Sequence, residues 1–184
     1  MKDVAVMAAQ LMAASARTAP KAGGKDFLEI VVITEEEDLK KIAESMKNYA
    51  PDSTNEVFWL RDASNIEDSQ ALLLIGLSKP VTAGYDCGGC GYSSCSDFSK
   101  QRQMKEKEMG YTGPHCVMRM IDIGVALSSA ARTASMLNID NRVQQRVGAA
   151  ARALGYIKSE VVMGIPISIS GKSIYFDRKV SASH

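Results

Sequence analysis

The longest unbroken apolar stretch of this chain is Ala71-Leu-Leu-Leu-Ile-Gly-Leu77. Its residues do not alternate between apolar and polar, which is the pattern of a β-strand covered on both faces. The segment from Phe27 to Ile33 predicts a second buried strand. Helical patterns lie between and after these strands, so strands alternate with helices along the chain. This order predicts a layered α/β or α+β domain.

The N-terminal half contains further element signals. An amphipathic helix is predicted to end near Thr18, because Pro20 disfavours helical geometry in the residue before it. Thr34 and Glu37 have the spacing of a capping box at the start of a second helix. The remaining predictions here are an apolar stripe on that helix (Leu39, Ile42, Ala43 and Met46), a short strand from Val57 to Leu60, and a polar connection from Ser64 to Ser69.

The C-terminal half, after Pro80, has a different composition. The charged stretch from Ser96 to Met109 is predicted to be helical. The segment from Val117 to Asn138 is apolar or small on nearly every side, so a central helix is expected there, packed by neighbouring elements or by a second subunit. The last predictions are a helix capped by Asp140, with Val143, Val147, Ala150, Ala151 and Leu154 on one face and Gly155 at its end, and a hairpin of Val161 to Ile169 and Ser173 to Phe176 with Gly171 at the turn.

Length and charge exclude several classes of protein. At 184 residues the chain is expected to form one domain, 1–184. A net charge of +1 provides no field for nucleic acid or anionic lipid. The seven apolar residues of the longest stretch fall short of the ~20 that a membrane span needs. We therefore expect no nucleic-acid or membrane partners. The apolar N-terminal segment is interpreted as an amphipathic core helix and not as a signal peptide, so a cytoplasmic location is expected.

All four cysteines fall within thirty residues, at Cys87, Cys90, Cys95 and Cys116. Three of them can converge on one metal centre if the loop curls tightly, and the glycines between them permit the backbone angles for such a curl. The same curl points backbone N–H groups toward the cysteine sulfurs. Four thiolates suit a 4Fe-4S cluster or tetrahedral zinc, and disulfides or unligated thiols are further alternatives.

The run Cys87-Gly-Gly-Cys90-Gly-Tyr-Ser-Ser-Cys95, with Cys116 downstream, resembles the small 4Fe-4S domain of electron-transfer complexes in anaerobes and of corrinoid iron-sulfur proteins. The resemblance covers about thirty residues, and those domains likewise have a single fourth cysteine at a similar separation. It implies that all four cysteines ligate one cluster. Residues 84–117 would then be a cluster-binding insertion in the domain.

Motifs across nearly the whole chain are similar to a second family, the uncharacterised ferredoxin-domain-containing proteins, which occur mainly in anaerobic bacteria and archaea. This resemblance implies a cluster and a fold, and no particular reaction. The motifs that carry it are Ala16-Arg-Thr-Ala-Pro-Lys21, Phe58-Trp-Leu-Arg-Asp62, Asn138-Ile-Asp-Asn-Arg142, Gly164-Ile-Pro-Ile-Ser168 and Gly171-Lys-Ser-Ile-Tyr-Phe-Asp-Arg178.

The segments Ala13-Ala-Ser-Ala-Arg-Thr-Ala-Pro20 and Leu154-Gly-Tyr-Ile, the latter before Val161-Val-Met-Gly-Ile-Pro166, also resemble the flavin-dependent nitroreductases. That resemblance implies an α+β fold with a helix-flanked sheet, a homodimer built on a long central helix, and flavin mononucleotide (FMN) at the interface. The arginine-rich segment that holds the flavin phosphate in those enzymes would precede the first helix, where this chain has only two or three residues.

Three basic residues near the end of the first helix are the candidates for holding a flavin phosphate or an acidic partner: Arg17, Lys21 and Lys25. The alternative is that they are solvated or complement the helix dipole. His115, beside Cys116, either tunes a cluster or is a hydrogen-bonded bystander.

The preferred functional hypothesis is an iron-sulfur protein that passes single electrons through a four-cysteine cluster, with a redox partner protein. An FMN-dependent reductase fed by the cluster and a zinc-stabilised interaction module are the alternatives. The sequence identifies no catalytic residue.

Overall fold

The computed structural model describes residues 1–78 and 81–176, so the predicted boundary at Pro80 and the motif residues Asp177 and Arg178 lie outside the described part. Within it the helices are α1 (Lys2–Thr18), α2 (Glu36–Tyr49), α3 (Glu56–Glu67), α4 (Cys95–Gln101), α5 (Val117–Met136) and α6 (Gln145–Ala153). The strands are β1 (Leu28–Ile33), β2 (Ala71–Leu77), β3 (Lys105–Glu106), β4 (Thr112–Gly113), β5 (Asp140–Asn141) and β6 (Val161–Ser168). Short 3-10 turns cover Ala22–Gly24 and Ala50–Asp52.

The main sheet is antiparallel, with the strand order β1-β2-β6-β5. Leu74 of the central strand β2 pairs with Val31 on one side and with Gly164 on the other. Every residue of β2 is buried. Alternate side chains of this strand enter two different cores, Leu73 on the side of α1 and α5 and Leu72 on the side of α2, α3 and α6. The prediction of a strand covered on both faces is confirmed.

Helix α6 packs directly on β6 through glycine. A Cβ atom at Gly148 would collide with the backbone carbonyl of Val162. On the facing strand, a Cβ at Gly164 would lie 2.6 Å from Cγ1 of Val147. Both positions need glycine because two backbones approach each other there.

Several other predictions are also confirmed. Helix α1 ends at Thr18, and β1 occupies nearly all of the segment predicted as a strand. The predicted central helix is α5. Gly155, two residues after α6, has a φ of +80°. The predicted stripe of α2 is buried at Leu39, Ile42, Ala43 and Met46. In the described part of the chain, no helix is both long and apolar enough to span a bilayer.

The predicted strand from Val57 to Leu60 is wrong, because these residues belong to α3. The buried side chains of Trp59, Ala63 and Ile66 follow helical spacing, whereas Val57 is 75% exposed. A run of four apolar residues does not by itself distinguish a strand from a helix. The polar connection predicted from Ser64 is wrong for the same reason, since α3 continues to Glu67.

Both predicted helix caps are wrong. Helix α2 begins at Glu36, with Glu35 at the N-cap and no side-chain cap, and the Thr34 hydroxyl donates to the Glu35 carboxylate over 3.0 Å. Three acidic side chains in the first turn of α2 complement the helix dipole instead. Asp140 lies in β5, and α6 begins only at Gln145.

Two further predictions are corrected. The charged stretch from Ser96 is helical only to Gln101 and then forms the short strand β3. The predicted second strand of the C-terminal hairpin, Ser173 to Phe176, is a turn. This turn is anchored by Tyr175, whose buried hydroxyl lies 2.8 Å from Oγ of Ser69. The side chains of Asn65 and Arg142 also donate to the carbonyls of Ile174 and Tyr175, so the segment is held without strand pairing.

Candidate functional site

The four cysteines are brought together at one end of α5. Cys87 and Cys90 lie in the loop after β2, Cys95 is the first residue of α4, and Cys116 directly precedes α5. All four line a single pocket. Cys87 is exposed, Cys90 and Cys95 are partly buried, and Cys116 is buried, so the pocket runs from the surface to the core. All four thiols are free.

The pocket wall between the cysteines is mainly apolar and aromatic. Phe98 of α4 is buried and packs edge to face against Tyr92, with ring centroids 5.3 Å apart. Tyr85 and Met118 contribute to the same wall. Such a lining lowers the local dielectric around the sulfurs, which strengthens every charge interaction made there.

The cysteine loop curls as its glycines predict. Gly88 and Gly91 have φ values of +71° and +82°, and the Gly91 N–H donates to the Gly88 carbonyl over 2.9 Å. The Asp86 carboxylate closes the loop by accepting the N–H of Cys95 over 2.6 Å. Ser94 caps α4 by accepting the N–H of Asp97. The curl therefore has its own hydrogen bonds, and it places Cys95 at the start of a helix.

Gly89 has a different role from its neighbours. Its φ is not positive, but a Cβ atom there would lie 2.6 Å from Cγ1 of Val117. The cysteine loop thus approaches the first turn of α5 more closely than a side chain would allow.

The backbone N–H donors to the sulfurs come mainly from α5 and not from the glycines of the loop. Val117 donates to the Cys90 sulfur over 3.2 Å. Backbone N–H groups of Arg119, Ala83 and Met118 lie near the Cys116 sulfur and lower its pKa. Sequence reasoning predicted inward N–H groups but missed this source. The signal was present, because Cys116 directly precedes a long helix whose first N–H groups have no partner within the helix.

These contacts shift the two inner thiols in opposite directions. Burial raises the pKa of Cys116, but the N–H donors outweigh it and the net pKa lies below the ordinary value. Burial also raises the pKa of Cys90, and there the single N–H of Val117 does not compensate, so the net pKa is raised. Of the two, Cys116 is therefore the better prepared to be a thiolate.

The described side chains do not form a compact single-ion site. Within residues 1–78 and 81–176, no three His, Cys, Asp or Glu side chains are grouped closely enough to hold one metal ion. The cysteines are instead distributed around the pocket wall.

Two of the three candidate flavin-binding residues contact their own chain. The Lys21 ammonium donates to the carbonyls of Ala16, Arg17 and Ala19, at 3.1, 2.8 and 2.8 Å, and its side chain is 4% exposed. Arg17 donates to the Asp26 carboxylate over 2.8 Å and to the Leu28 carbonyl.

Lys25 is exposed. A flavin role for Arg17, Lys21 and Lys25 stays a prediction.

His115 is held by the protein beside the pocket and is not part of its lining. Its Nε2 lies 2.8 Å from the Thr112 carbonyl and 3.1 Å from the Glu160 carboxylate. Burial lowers the pKa of His115 below its ordinary value. These contacts agree with the second of the two alternatives for His115, that of a hydrogen-bonded bystander that does not tune a cluster.

Sequence reasoning also missed a buried ion pair, Arg119 with Asp122, in the first turns of α5. The available signal was two opposite charges three residues apart in a helix otherwise rich in apolar and small residues.

Comparison with known proteins places the chain in a family. A family described as uncharacterized proteins containing a ferredoxin domain matches residues 112–178, a range that includes Cys116. An uncharacterized protein of Archaeoglobus fulgidus is 47% identical over 172 residues, covering 94% of this chain and 90% of that protein.

Solved structures show the same fold. A nitroreductase with bound FMN from Desulfitobacterium hafniense superposes with a TM-score of 0.59 at 12% identity, covering 90% of this chain and 78% of that one. A nitroreductase with bound FMN from Bacteroides fragilis gives 0.57 at 11% identity, covering 96% and 84%. The chain belongs to the family of uncharacterized proteins containing a ferredoxin domain, and its fold is that of the nitroreductases.

Proposed function

We propose that this protein binds one 4Fe-4S cluster through Cys87, Cys90, Cys95 and Cys116 and transfers single electrons with it. The observation that carries the proposal is that four free cysteines from three separate parts of the chain line one pocket. Thiolates distributed around a pocket suit a cluster, in which each iron takes one cysteine. The ferredoxin domain in the family description supports an iron-sulfur group.

The residues around the sulfurs fit such a group. Four thiolates carry negative charge into a partly buried site, and the N–H groups of Val117, Arg119 and Met118 offset that charge. In the pocket wall Phe98 is buried and Tyr92 is partly buried, whereas Cys87 at the outer edge is exposed. When bound, the cluster would supply the uptake and release of one electron.

The exposed edge of the pocket at Cys87 is where a redox partner protein would exchange that electron. Tyr85, beside it, is 52% exposed. Four free thiols near one another favour a reducing compartment, and we therefore propose a cytoplasmic location.

The test is metal analysis of protein purified without exposure to oxygen. We expect a brown protein with about four irons and four acid-labile sulfides per chain. Stoichiometric zinc without sulfide would refute the proposal and favour the zinc-stabilised interaction module.

An FMN-dependent reductase is the second candidate, because solved structures with this fold contain FMN. Lys25 lies in the turn beside the cysteine loop and is exposed, so its ammonium can approach a phosphate. The Tyr85 hydroxyl would be 3.5 Å from a Cβ at Gly23, so the two candidate cofactor sites adjoin. A flavin absorbance spectrum of the purified protein separates this candidate from the first. A Lys25→Ala variant should bind added FMN more weakly if the ammonium holds the phosphate.

We also propose that the protein is a homodimer. One face of α1 exposes the apolar side chains of Val4, Met7 and Leu11, which are 47%, 60% and 48% accessible. Ile121 of α5, the helix packed beside α1, is 50% exposed. The exposed apolar face of α1 is a surface that a second copy of the chain would cover.

A further inference from the structure

The first turns of α5 contain a buried ion pair. Arg119 and Asp122 are 2% and 5% exposed, and Nη1 of Arg119 lies 2.8 Å from Oδ2 of Asp122. Removing two charges from water is costly, and packed apolar residues at such positions are often at least as stable. The pair lies one helical turn after Cys116, so it is placed to hold the part of α5 that borders the pocket.

Both charged groups hold the turn that follows α1. The N–H of Ala22 donates to Oδ1 of Asp122 over 2.7 Å. Nη1 of Arg119 donates to the Ala22 carbonyl over 3.1 Å, and the Lys25 carbonyl lies 3.5 Å away. The guanidinium also stacks over the Phe27 ring at 4.7 Å. The pair therefore joins the turn of residues 22–25 to the start of α5.

The same helical turn holds the innermost sulfur. Cys116 is the N-cap of α5, and its carbonyl accepts the N–H of Met120 over 3.0 Å. The first turn of the helix therefore contains both a pocket cysteine and the residue that holds the turn of residues 22–25. Among the residues that the structure describes, the buried Nε of this guanidinium has no hydrogen-bond partner. The charge of the guanidinium is held by the Asp122 carboxylate and the Ala22 carbonyl, in a low-dielectric interior where charge interactions are strong.

We propose that Arg119 and Asp122 are positioning residues of the cysteine pocket, and that the balance of their two charges sets the reduction potential of the group bound there. The inference rests on the proposed function. The pair holds the first turn of α5, and with it Cys116 and the N–H donors. The reduced cluster carries one more negative charge than the oxidised cluster. A nearby positive charge therefore stabilises the reduced form and raises the reduction potential, and a nearby negative charge lowers it.

The first experiment measures the reduction potential of cluster-loaded protein in three variants. Asp122→Asn removes a negative charge and should raise the potential. Arg119→Gln removes a positive charge and should lower it. Arg132→Gln removes an exposed positive charge near the far end of the same helix. By helical rise, Arg132 lies about 24 Å from Cys116, so this variant should leave the reduction potential unchanged. Structural damage alone would not move the potential in opposite directions for the two partners.

Shifts of the same sign in both buried variants, or no shift in either, would overturn the inference. If Arg119→Gln does not fold, Arg119→Lys and Asp122→Asn provide the comparison. Lysine keeps the positive charge, so the reduction potential of Arg119→Lys should stay near that of the wild-type protein. The reduction potential of Asp122→Asn should be higher.

The second experiment is independent of the cluster and uses metal-free full-length protein. Amide hydrogen exchange of residues 22–25 should be about tenfold faster or more in Arg119→Gln, because charged hydrogen bonds to this turn are lost, and unchanged in Arg132→Gln. Equal exchange in all proteins would refute the positioning role even if a cluster binds. If the wild-type protein contains no iron and sulfide, the proposed function and the effect on the reduction potential are refuted. Faster exchange of residues 22–25 in Arg119→Gln would still support the role of the ion pair in holding that turn.

Discussion

The backbone N–H of Val117 donates to the sulfur of Cys90 over 3.2 Å, although 27 residues separate the two along the chain. This bond holds the cysteine loop against the first turn of α5, where Gly89 also approaches Val117. The Cys90 and Cys116 thiols lie near each other at the same place, and each shifts the pKa of the other. The pocket is thus built on a helix of the core, and binding there is expected to be linked to the order of the loop.

Replacing Cys90 by Ser should cause loss or alteration of the cluster, because one thiolate ligand and the acceptor of the Val117 N–H are removed together. We expect iron to fall below the wild-type content of about four per chain, with a changed absorbance spectrum. Ser96→Ala, at an exposed position of the same segment, is the control and should keep both. An unchanged spectrum in Cys90→Ser would remove Cys90 from the ligand set.

Oxidative loss of the cluster should disorder residues 84–116 and leave the main sheet intact. The sheet lies between two apolar cores that need no metal, whereas the cysteine loop is closed by few hydrogen bonds of its own. Hydrogen exchange of holo and cluster-free protein measures this, with faster exchange expected only in the cysteine segment. Faster exchange throughout β1 and β6 would show instead that the cluster is part of the folding core.

A Met7→Glu substitution should convert the dimer into a monomer, because it places a charge on the apolar face of α1. Light scattering at micromolar concentration gives the molar mass. Val57→Glu is the matched control, since Val57 is also exposed, at 75%, but lies on α3 in the opposite layer. A wild-type monomer at this concentration would contradict the proposed dimer.

A Gly148→Ala substitution should destabilise the fold by about 1–3 kcal/mol, because the added Cβ meets the backbone carbonyl of Val162. The midpoint of urea denaturation measures the change. Gly171→Ala, where a Cβ has open space, should change the free energy of unfolding by less than about 1 kcal/mol. Equal midpoints for the two variants would show that α6 can move away from β6 without cost.

Acid should weaken the fold through Asp26. Burial raises the pKa of Asp26, but the hydrogen bonds from Arg17 and from the Leu28 N–H together lower it by more. The net pKa of Asp26 therefore lies below the ordinary value. The contribution is present above the unfolded pKa and is lost as the pH falls through the folded one. Urea denaturation should therefore show a smaller loss of stability between about pH 5 and pH 2 for Asp26→Asn than for wild type. Asp52→Asn, at an exposed carboxylate, should behave like wild type.

Local patterns in the sequence were sufficient for much of the fold. The run from Ala71 to Leu77 predicted a strand buried on both faces, and the periodic stripe beginning at Leu39 predicted α2. The spacing of the cysteines and their glycines predicted a curled loop, which the φ values of Gly88 and Gly91 confirm. Each of these features depends on a few neighbouring residues.

Short or locally ambiguous segments needed the tertiary structure. The apolar run from Val57 to Leu60 fits a strand or a helix, and packing of Trp59 against Tyr49 of α2 accompanies the helical choice. From the sequence, Lys21 is expected to be an exposed cation. In the fold its ammonium donates to three carbonyls at the end of α1.

The sequence by itself determined which residues carry thiols and which segments are apolar enough to form the sheet and its helices. The tertiary structure alone decided which backbone N–H groups reach the sulfurs and that Asp122 of α5 accepts a hydrogen bond from Ala22, 100 residues earlier. Burial and periodicity are encoded in consecutive side chains, whereas the partner of a charge or an N–H group is set by which distant segments the packed core brings within about 3 Å.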